Sequence, residues 1–313
     1  MWCFPVAQDV SATDPGGTPV ESGTRRESRR IQHSPWNGLD VRAWMRFTRS
    51  WFVCNPAPRT RSQLRHPAKF PEALAREFVG FFTGAGETVL DPFSGVGSTV
   101  AAAGSLGRRG VGIELLPEFH TLAQERGDLA EDALLLQGDA RQATALLHAT
   151  GVQQCDYILT SPPYWNMLRE GRGNVDSVHR KRAQQGLKTA YSDQPEDLGN
   201  LVEYEEFLQE LTAILADLRS VLTPNRYLTV VTQNLRVRSG EMKPLAWDLT
   251  AQLSRYYTFK GERIWVQDNK PLGCWGWPRE FVTNVHHHYC LNFKNDRTDI
   301  QLLPRDGSRP TAG

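Results

Sequence analysis

Apolar positions recur along the chain in two alternating rhythms. At 74, 78, 81 and 82 the spacing is that of one helical face, and Pro71 suits the first turn of that helix. From residue 88 onward, short apolar runs alternate with helix-length stretches. The runs 88–90, 111–113, 134–136 and 157–159 read as strands, ending at Asp91, Glu114, near Asp139 and at Ser161. The stretches 98–106, 117–126 and 141–150 between them read as helices. A long helix is predicted over about 203–222, closed by Thr-Pro-Asn. It is followed by a strand at 227–232, a helix near 244–256 and strands near 262–267 and 287–293. Such alternation predicts an α/β fold, with a mostly parallel twisted sheet and helices on both faces. The last two strands are expected to form an antiparallel edge hairpin. Residues 1–35, rich in Gly, Ser, Thr, Pro and Arg, show no apolar period and read as a flexible N-terminal arm. Residues 36–65 form a basic aromatic segment in which Trp36, Trp44, Phe47, Trp51 and Phe52 alternate with arginines. The main domain is expected over 66–295, with a basic loop insertion at about 166–200, and 296–313 as a polar tail.

Composition narrows the class. With 40% hydrophobic and 23% charged residues, the chain resembles an ordinary globular protein. Its longest apolar runs, such as 78–82, fall far short of the ~20 residues that span a bilayer. The start, Met-Trp-Cys-Phe-Pro, lacks the charged opening and apolar stretch of a signal peptide. Cys3, Cys54, Cys155, Cys274 and Cys290 are odd in number and scattered, which argues against a disulfide framework or a zinc ribbon. A cytoplasmic protein without a membrane partner is expected. The formal charge of +1 conceals blocks of opposite sign. Residues 21–70 hold eleven Lys/Arg against three Asp/Glu, and 168–190 hold six against two. Residues 191–217 carry eight acidic side chains and no Lys or Arg. The pattern suggests two basic surfaces for a polyanion and an acidic face elsewhere.

In open α/β sheets the ligand lies at the carboxyl ends of the strands. The first such end runs Asp91-Pro-Phe-Ser-Gly-Val-Gly-Ser-Thr99. Gly95 and Gly97 permit a tight turn and close backbone approach to a ligand, but Val100 stands where a dinucleotide fingerprint has its third glycine. Asp91 would repel a pyrophosphate, yet it can bind a cationic ammonium through water or backbone. Glu114 is placed to accept both hydroxyls of a ribose. Asp139 can accept from an adenine amino group. The pocket suits a nucleoside that carries an amino acid and no phosphates, namely S-adenosylmethionine; an NAD site or an empty loop is the alternative. The fourth strand ends Thr160-Ser-Pro-Pro-Tyr-Trp165. Two prolines stiffen that turn and remove two N–H donors. It therefore presents acceptors, the Ser161 hydroxyl and the Pro162 carbonyl. Two acceptors bonded to a base's NH2 group can pull it towards tetrahedral geometry and drain positive charge as a methyl arrives. Tyr164 offers a face on which an extruded base can stack, with Trp165 beside it.

This combination resembles the DNA amino-methyltransferases, which methylate N4 of cytosine or N6 of adenine. His66-Pro-Ala-Lys-Phe-Pro71 resembles the family's segment over the methionine end of the cofactor, which implies contacts from His66, Lys69 and Phe70. The segment 91–98 resembles its cofactor loop, implying Asp91, Pro92, Phe93, Ser94, Gly95, Gly97 and Ser98. Gly112-Ile-Glu114 resembles the strand bearing its ribose acid, implying Glu114 with Leu115, and Asp139 with Ala140 complete the cofactor set. Ser161, Pro162, Pro163 and Tyr164 resemble its catalytic tetrapeptide. The resemblance covers about 66–295. It implies a Rossmann-like methyltransferase fold, S-adenosylmethionine as cofactor and double-stranded DNA as partner. It further implies a base flipped from the duplex and no covalent enzyme–base intermediate. It admits a cognate restriction endonuclease acting on the same site.

No Pro-Cys stands where a carbon-5 cytosine enzyme needs its nucleophile, and Cys155 is expected to be buried. Many members bearing Ser-Pro-Pro-Tyr place it before the cofactor loop, whereas here the loop comes first. Sheet order rather than chain order then has to assemble the site. Target recognition is expected in 168–190, through Arg169, Arg172, Arg180, Lys181 and Arg182, with Trp165 adjacent. The segment 36–65 is expected to grip phosphates, with 234–238 a weaker candidate. Serine at the first tetrapeptide position leans to cytosine N4. An adenine-N6 enzyme, an RNA base methyltransferase and a catalytically silent nucleic-acid-binding relative are the alternatives. His286, His287 and His288 lack zinc-site spacing, so no metal is expected. Trp275-Gly-Trp-Pro278, with Asn269 and Lys270, reads equally as loop packing or as a loop near the flipped base.

Overall fold

The computed structural model describes residues 33–55, 71–165, 194, 196–237, 239–274 and 276–298. Its strands are β1 (Trp51–Val53), β2 (Thr88–Asp91), β3 (Arg109–Glu114), β4 (Leu134–Gln137), β5 (Cys155–Thr160), β6 (Leu222–Thr232), β7 (Leu235–Arg236), β8 (Met242–Lys243), β9 (Thr258–Val266) and β10 (His287–Lys294). Its helices are α1 (Val41–Phe47), α2 (Glu72–Phe82), α3 (Ser98–Ser105), α4 (Pro117–Gln124), α5 (Ala143–Ala149), α6 (Tyr204–Asp217) and α7 (Leu245–Leu253). Eight strands form one sheet in the order β1-β9-β10-β6-β5-β2-β3-β4, and β7 and β8 form a separate small hairpin. The block from β4 to β6 is parallel, while β10 runs antiparallel to both β6 and β9. This is the α/β arrangement expected from the alternating pattern, a mostly parallel sheet with helices on both faces.

Burial explains the run type of each strand. Val89, Leu90, Tyr157, Ile158 and Leu159 are fully enclosed because helices cover both faces, so β2 and β5 read as continuous apolar runs. On one face Phe78 and Phe82 of α2 pack against Tyr157, Val231 and Trp265. On the other, Phe207 and Leu211 of α6 and Leu249 of α7 pack against Ile158, Leu228 and Val230. In α2 the buried stripe is Leu74, Ala75, Phe78, Val79, Phe81 and Phe82, as its spacing predicts.

Two local readings differ from expectation. The long helix stops at Asp217 rather than near 222, and β6 already begins at Leu222. Leu222 pairs with Cys155, and the Thr223 hydroxyl donates to the Cys155 carbonyl at 2.9 Å. Pro224 and the positive φ of Asn225 sit where the register of this pair shifts, a position that tolerates a missing N–H. The second difference concerns 36–55. α1 and β1 are part of the fold, with Trp36, Trp44, Phe47 and Phe52 packed into the cluster around α2. β1 pairs with β9 in parallel and so lies outside the β9–β10 hairpin on that side of the sheet. Four of the segment's aromatic residues thus serve packing, while Trp51, Arg42, Arg46 and Arg49 remain exposed.

Candidate active site

The carboxyl ends of β2, β3, β4 and β5 lie side by side on one edge. Asp91 pairs with Gly112, and Glu114 with Gln137. Asp91 is buried, and its oxygens are engaged. Oδ1 accepts from the Phe93 N–H at 3.1 Å and the Thr160 hydroxyl at 2.7 Å, and Oδ2 accepts from the Thr99 hydroxyl at 2.6 Å. Burial pushes its carboxyl up to about 6 against the pull of these donors. Asp91 thus shapes the loop from below, and any effect on a ligand's ammonium passes through the backbone it holds. The bond to Thr160 ties the glycine loop to the residue just before Ser161. Neither hydroxyl carries a sequence signal of its own, so Thr99 and Thr160 were not among the predicted site residues.

The glycine loop closes because its backbone can reach unusual conformations. Gly97 caps α3 with φ 76°, a left-handed conformation that disfavours a side chain. Gly110 and Gly112 in β3 do something else. A Cβ on Gly110 would lie 2.7 Å from the Val100 carbonyl oxygen, and one on Gly112 would lie 2.8 Å from Ser94 Cβ. They let the loop and α3 settle directly on the strand. Ser94 Oγ, buried in this loop, has no hydrogen-bond partner among the described residues.

Glu114 accepts the Gly95 N–H on Oε2 at 2.8 Å and the Leu116 N–H on Oε1 at 2.9 Å. One lone pair on each oxygen is left for a vicinal diol. Burial pushes its carboxyl up to about 7, with the nearby charges of Asp91 and Asp197 adding to the shift. Asp197 is a buried carboxylate that sequence reasoning missed, because it sits in the block read as an acidic face away from the site. Its side chain caps the turn 198–200, accepting from the Gly199 N–H at 2.9 Å, and Gly199 packs beside Pro163 and Trp165. Asp139 caps the turn after β4 and accepts from the Arg141 N–H at 2.9 Å and its guanidinium at 3.0 Å. Ala140 is buried behind it.

Ser161 and Tyr164 meet across the proline turn, Oγ to OH at 2.9 Å. Burial pushes the Tyr164 hydroxyl up, so it stays protonated at neutral pH. The Tyr164 and His288 rings are 6.1 Å apart, and His288 stacks on Trp265 at 4.4 Å. Trp165, at φ 41°, packs edge-on against Tyr204 at 5.4 Å. Cys155 is buried, as expected, and burial raises its thiol. His66, Lys69 and Phe70, and the basic residues Arg169, Arg172, Arg180, Lys181 and Arg182, lie outside the described residues. Among the described residues no helix is long and apolar enough to cross a membrane.

The site's donor set fits S-adenosylmethionine. Glu114 offers paired acceptors for a diol, Asp139 an acceptor at the next strand end, and Ser94 an unsatisfied hydroxyl in the loop. A protein-family model described as DNA methylase matches residues 23–125. The chain is similar to type II methyltransferase M.MjaI of Methanocaldococcus jannaschii, 34% identical over 80 residues, 26% of this chain and 26% of that protein. It is similar to type II methyltransferase M.SmaI of Serratia marcescens, 48% identical over 61 residues, 20% of this chain and 21% of that one. A third relative is DNA adenine methyltransferase YhdJ of Escherichia coli, 38% identical over 65 residues, 21% of this chain and 22% of that protein. The matched stretch spans about a quarter or less of the length of these relatives.

Proposed function

We propose that this chain, whose residues 23–125 match a DNA methylase family model, methylates the exocyclic amine of a base flipped out of double-stranded DNA, with cytosine N4 as acceptor. One observation carries the reading. The Thr160–Asp91 hydrogen bond holds the proline turn against the glycine loop at adjacent strand ends, so an acceptor pocket and a cofactor pocket share a wall. S-adenosylmethionine, when bound, supplies an electrophilic methyl group on a sulfonium.

The chain's own residues then have defined tasks. The Ser161 hydroxyl and Pro162 carbonyl accept the two amine hydrogens, which weakens conjugation of the nitrogen lone pair with the ring. The Ser161–Tyr164 bond fixes the hydroxyl rotor. With Ser161 as donor, both lone pairs of Oγ face the amine. Charge developing on the amine is met by acceptors already in place. Tyr164 and His288 border the space beside the turn, where a base can stack.

The test is direct sequencing of modified bases in DNA from cells that express the chain. N4-methylcytosine in one recurring sequence context is the expected result, absent when Ser161→Ala is expressed instead. DNA without any added mark, together with methyl transfer to RNA in vitro, would replace this reading. Adenine N6 is a second acceptor, favoured by the likeness to YhdJ, and the same sequencing distinguishes the two. A cognate restriction endonuclease belongs to the same proposal, and would cut the same context when unmethylated.

A further inference from the structure

Three large apolar side chains of one loop stand in solvent: Leu272 is 79%, Trp277 80% and Phe281 91% exposed. The loop, 267–286, runs from the end of β9 to the start of β10. Because β10 is antiparallel to both β6 and β9, and β6 is parallel to β5, this loop leaves the sheet on the edge that carries Asp91 and Ser161. The contact between the rings of Tyr164 and His288, the second residue of β10, places the loop's end beside the catalytic turn.

The loop is held in shape. Asn284 clamps its neck, accepting the Gly273 N–H at 2.8 Å and donating to the Gly273 carbonyl at 3.0 Å. The Gly276 carbonyl accepts from the N–H groups of Arg279 and Glu280, each at 2.8 Å. Its charges cancel, Asp268 and Glu280 against Lys270 and Arg279, so attraction of phosphates is not what the loop is built for. An aromatic tip on a clamped, neutral loop beside a base-accepting turn is suited to contact with stacked bases.

We infer that the loop 267–286 is a wedge that enters the duplex where the target base leaves the stack, with Trp277 and Phe281 filling the vacated space. The inference rests on the DNA-methylation reading above. Extruding a base forfeits its stacking and pairing, and apolar side chains inserted at the step recover part of that loss. No covalent step is involved.

The experiment uses the full chain and oligonucleotides bearing the context identified by sequencing. Trp277→Ala and Phe281→Ala, singly and together, are compared with the wild type on three substrates: paired duplex, duplex with the target base mispaired, and single strand. A duplex with 2-aminopurine at the target position reports extrusion by its fluorescence. The double variant should lose about tenfold or more in duplex methylation, since the wedge offsets part of the unstacking cost. It should also lose most of the 2-aminopurine signal, while methylating the mispaired and single-stranded substrates at the wild-type rate. Equal losses on all three substrates would overturn the wedge and make the loop part of the reaction pocket. Unchanged duplex methylation overturns it too, as does loss of self-association in sedimentation without loss of extrusion. Failure of the wild type on every DNA substrate defeats the underlying reading, a result distinct from any change confined to the variants.

Discussion

At Glu114, two backbone N–H groups pull the carboxyl down and burial pushes it up, and burial wins, to about 7. The folded value lies above the ordinary 4.5, so the folded state holds the proton more tightly. The resulting stabilisation is fully present below pH about 4.5 and is lost as pH rises through about 7. A ribose diol donates to the ionised form. Cofactor affinity should therefore rise from pH 6 to pH 8, and Glu114→Gln should both weaken binding and flatten that rise in titration calorimetry. Ser161 follows Thr160 at the end of the neighbouring strand. Ser161→Ala removes one of two acceptors for the amine and should lower turnover by about 10² while leaving cofactor affinity near wild type, as loss of one preorganised partner does. Stopped-assay rates at saturating cofactor, set beside calorimetric affinities, separate the two effects.

Between β2 and β5 the decisive contact is one hydroxyl. Thr160→Val keeps shape but removes the donor to Asp91 Oδ1, leaving a buried carboxylate under-satisfied. That should cost about 1–3 kcal/mol in urea unfolding. On the neighbouring strand, Gly112→Ala would push a methyl to 2.8 Å from Ser94 Cβ, and overpacking of this kind costs about 1–3 kcal/mol. The loop must lift to relieve it, so cofactor affinity should fall along with the urea midpoint. The glycines of 95–97 were legible in the chain as a turn, because the loop follows an apolar run and opens a helix. The role of Gly110 and Gly112 was not, since a strand glycine acquires its reason only when a helix is laid across it.

For the whole molecule, the segment before the sheet proper is a structural partner. Phe47 stacks on Phe81 at 3.8 Å, and the buried Arg263 places its guanidinium 4.1 Å from the Phe47 ring and 4.4 Å from Phe52, while pairing with Glu77 at 2.9 Å. Phe47→Ala should cost about 3–5 kcal/mol, as large aromatic truncations in a core do. A urea midpoint shift with the cofactor affinity of the remaining folded protein preserved is the expected pair of results. Charge pattern alone assigned this region to phosphate contact. Trp36, Trp44, Phe47 and Phe52 are spent on the core, because a Trp or Phe beside an arginine looks the same in sequence whether the ring faces a helix or a solvent-borne partner.

Periodicity and strand-end chemistry by themselves determined the alternation of strands and helices from α2 to β6, the acids at the ends of β2, β3 and β4, and the proline turn after β5. They could do so because each of these is a local property: an apolar run has a length, and a ligand-facing residue follows it. Only the tertiary structure decided that β10 inserts between β6 and β9, that Thr160 donates to Asp91, that the charge of buried Asp197 reaches Glu114, and that Trp277 and Phe281 stand in solvent. Those facts depend on which distant segments are brought to one edge, and burial of a given side chain is set by neighbours that sequence spacing does not name.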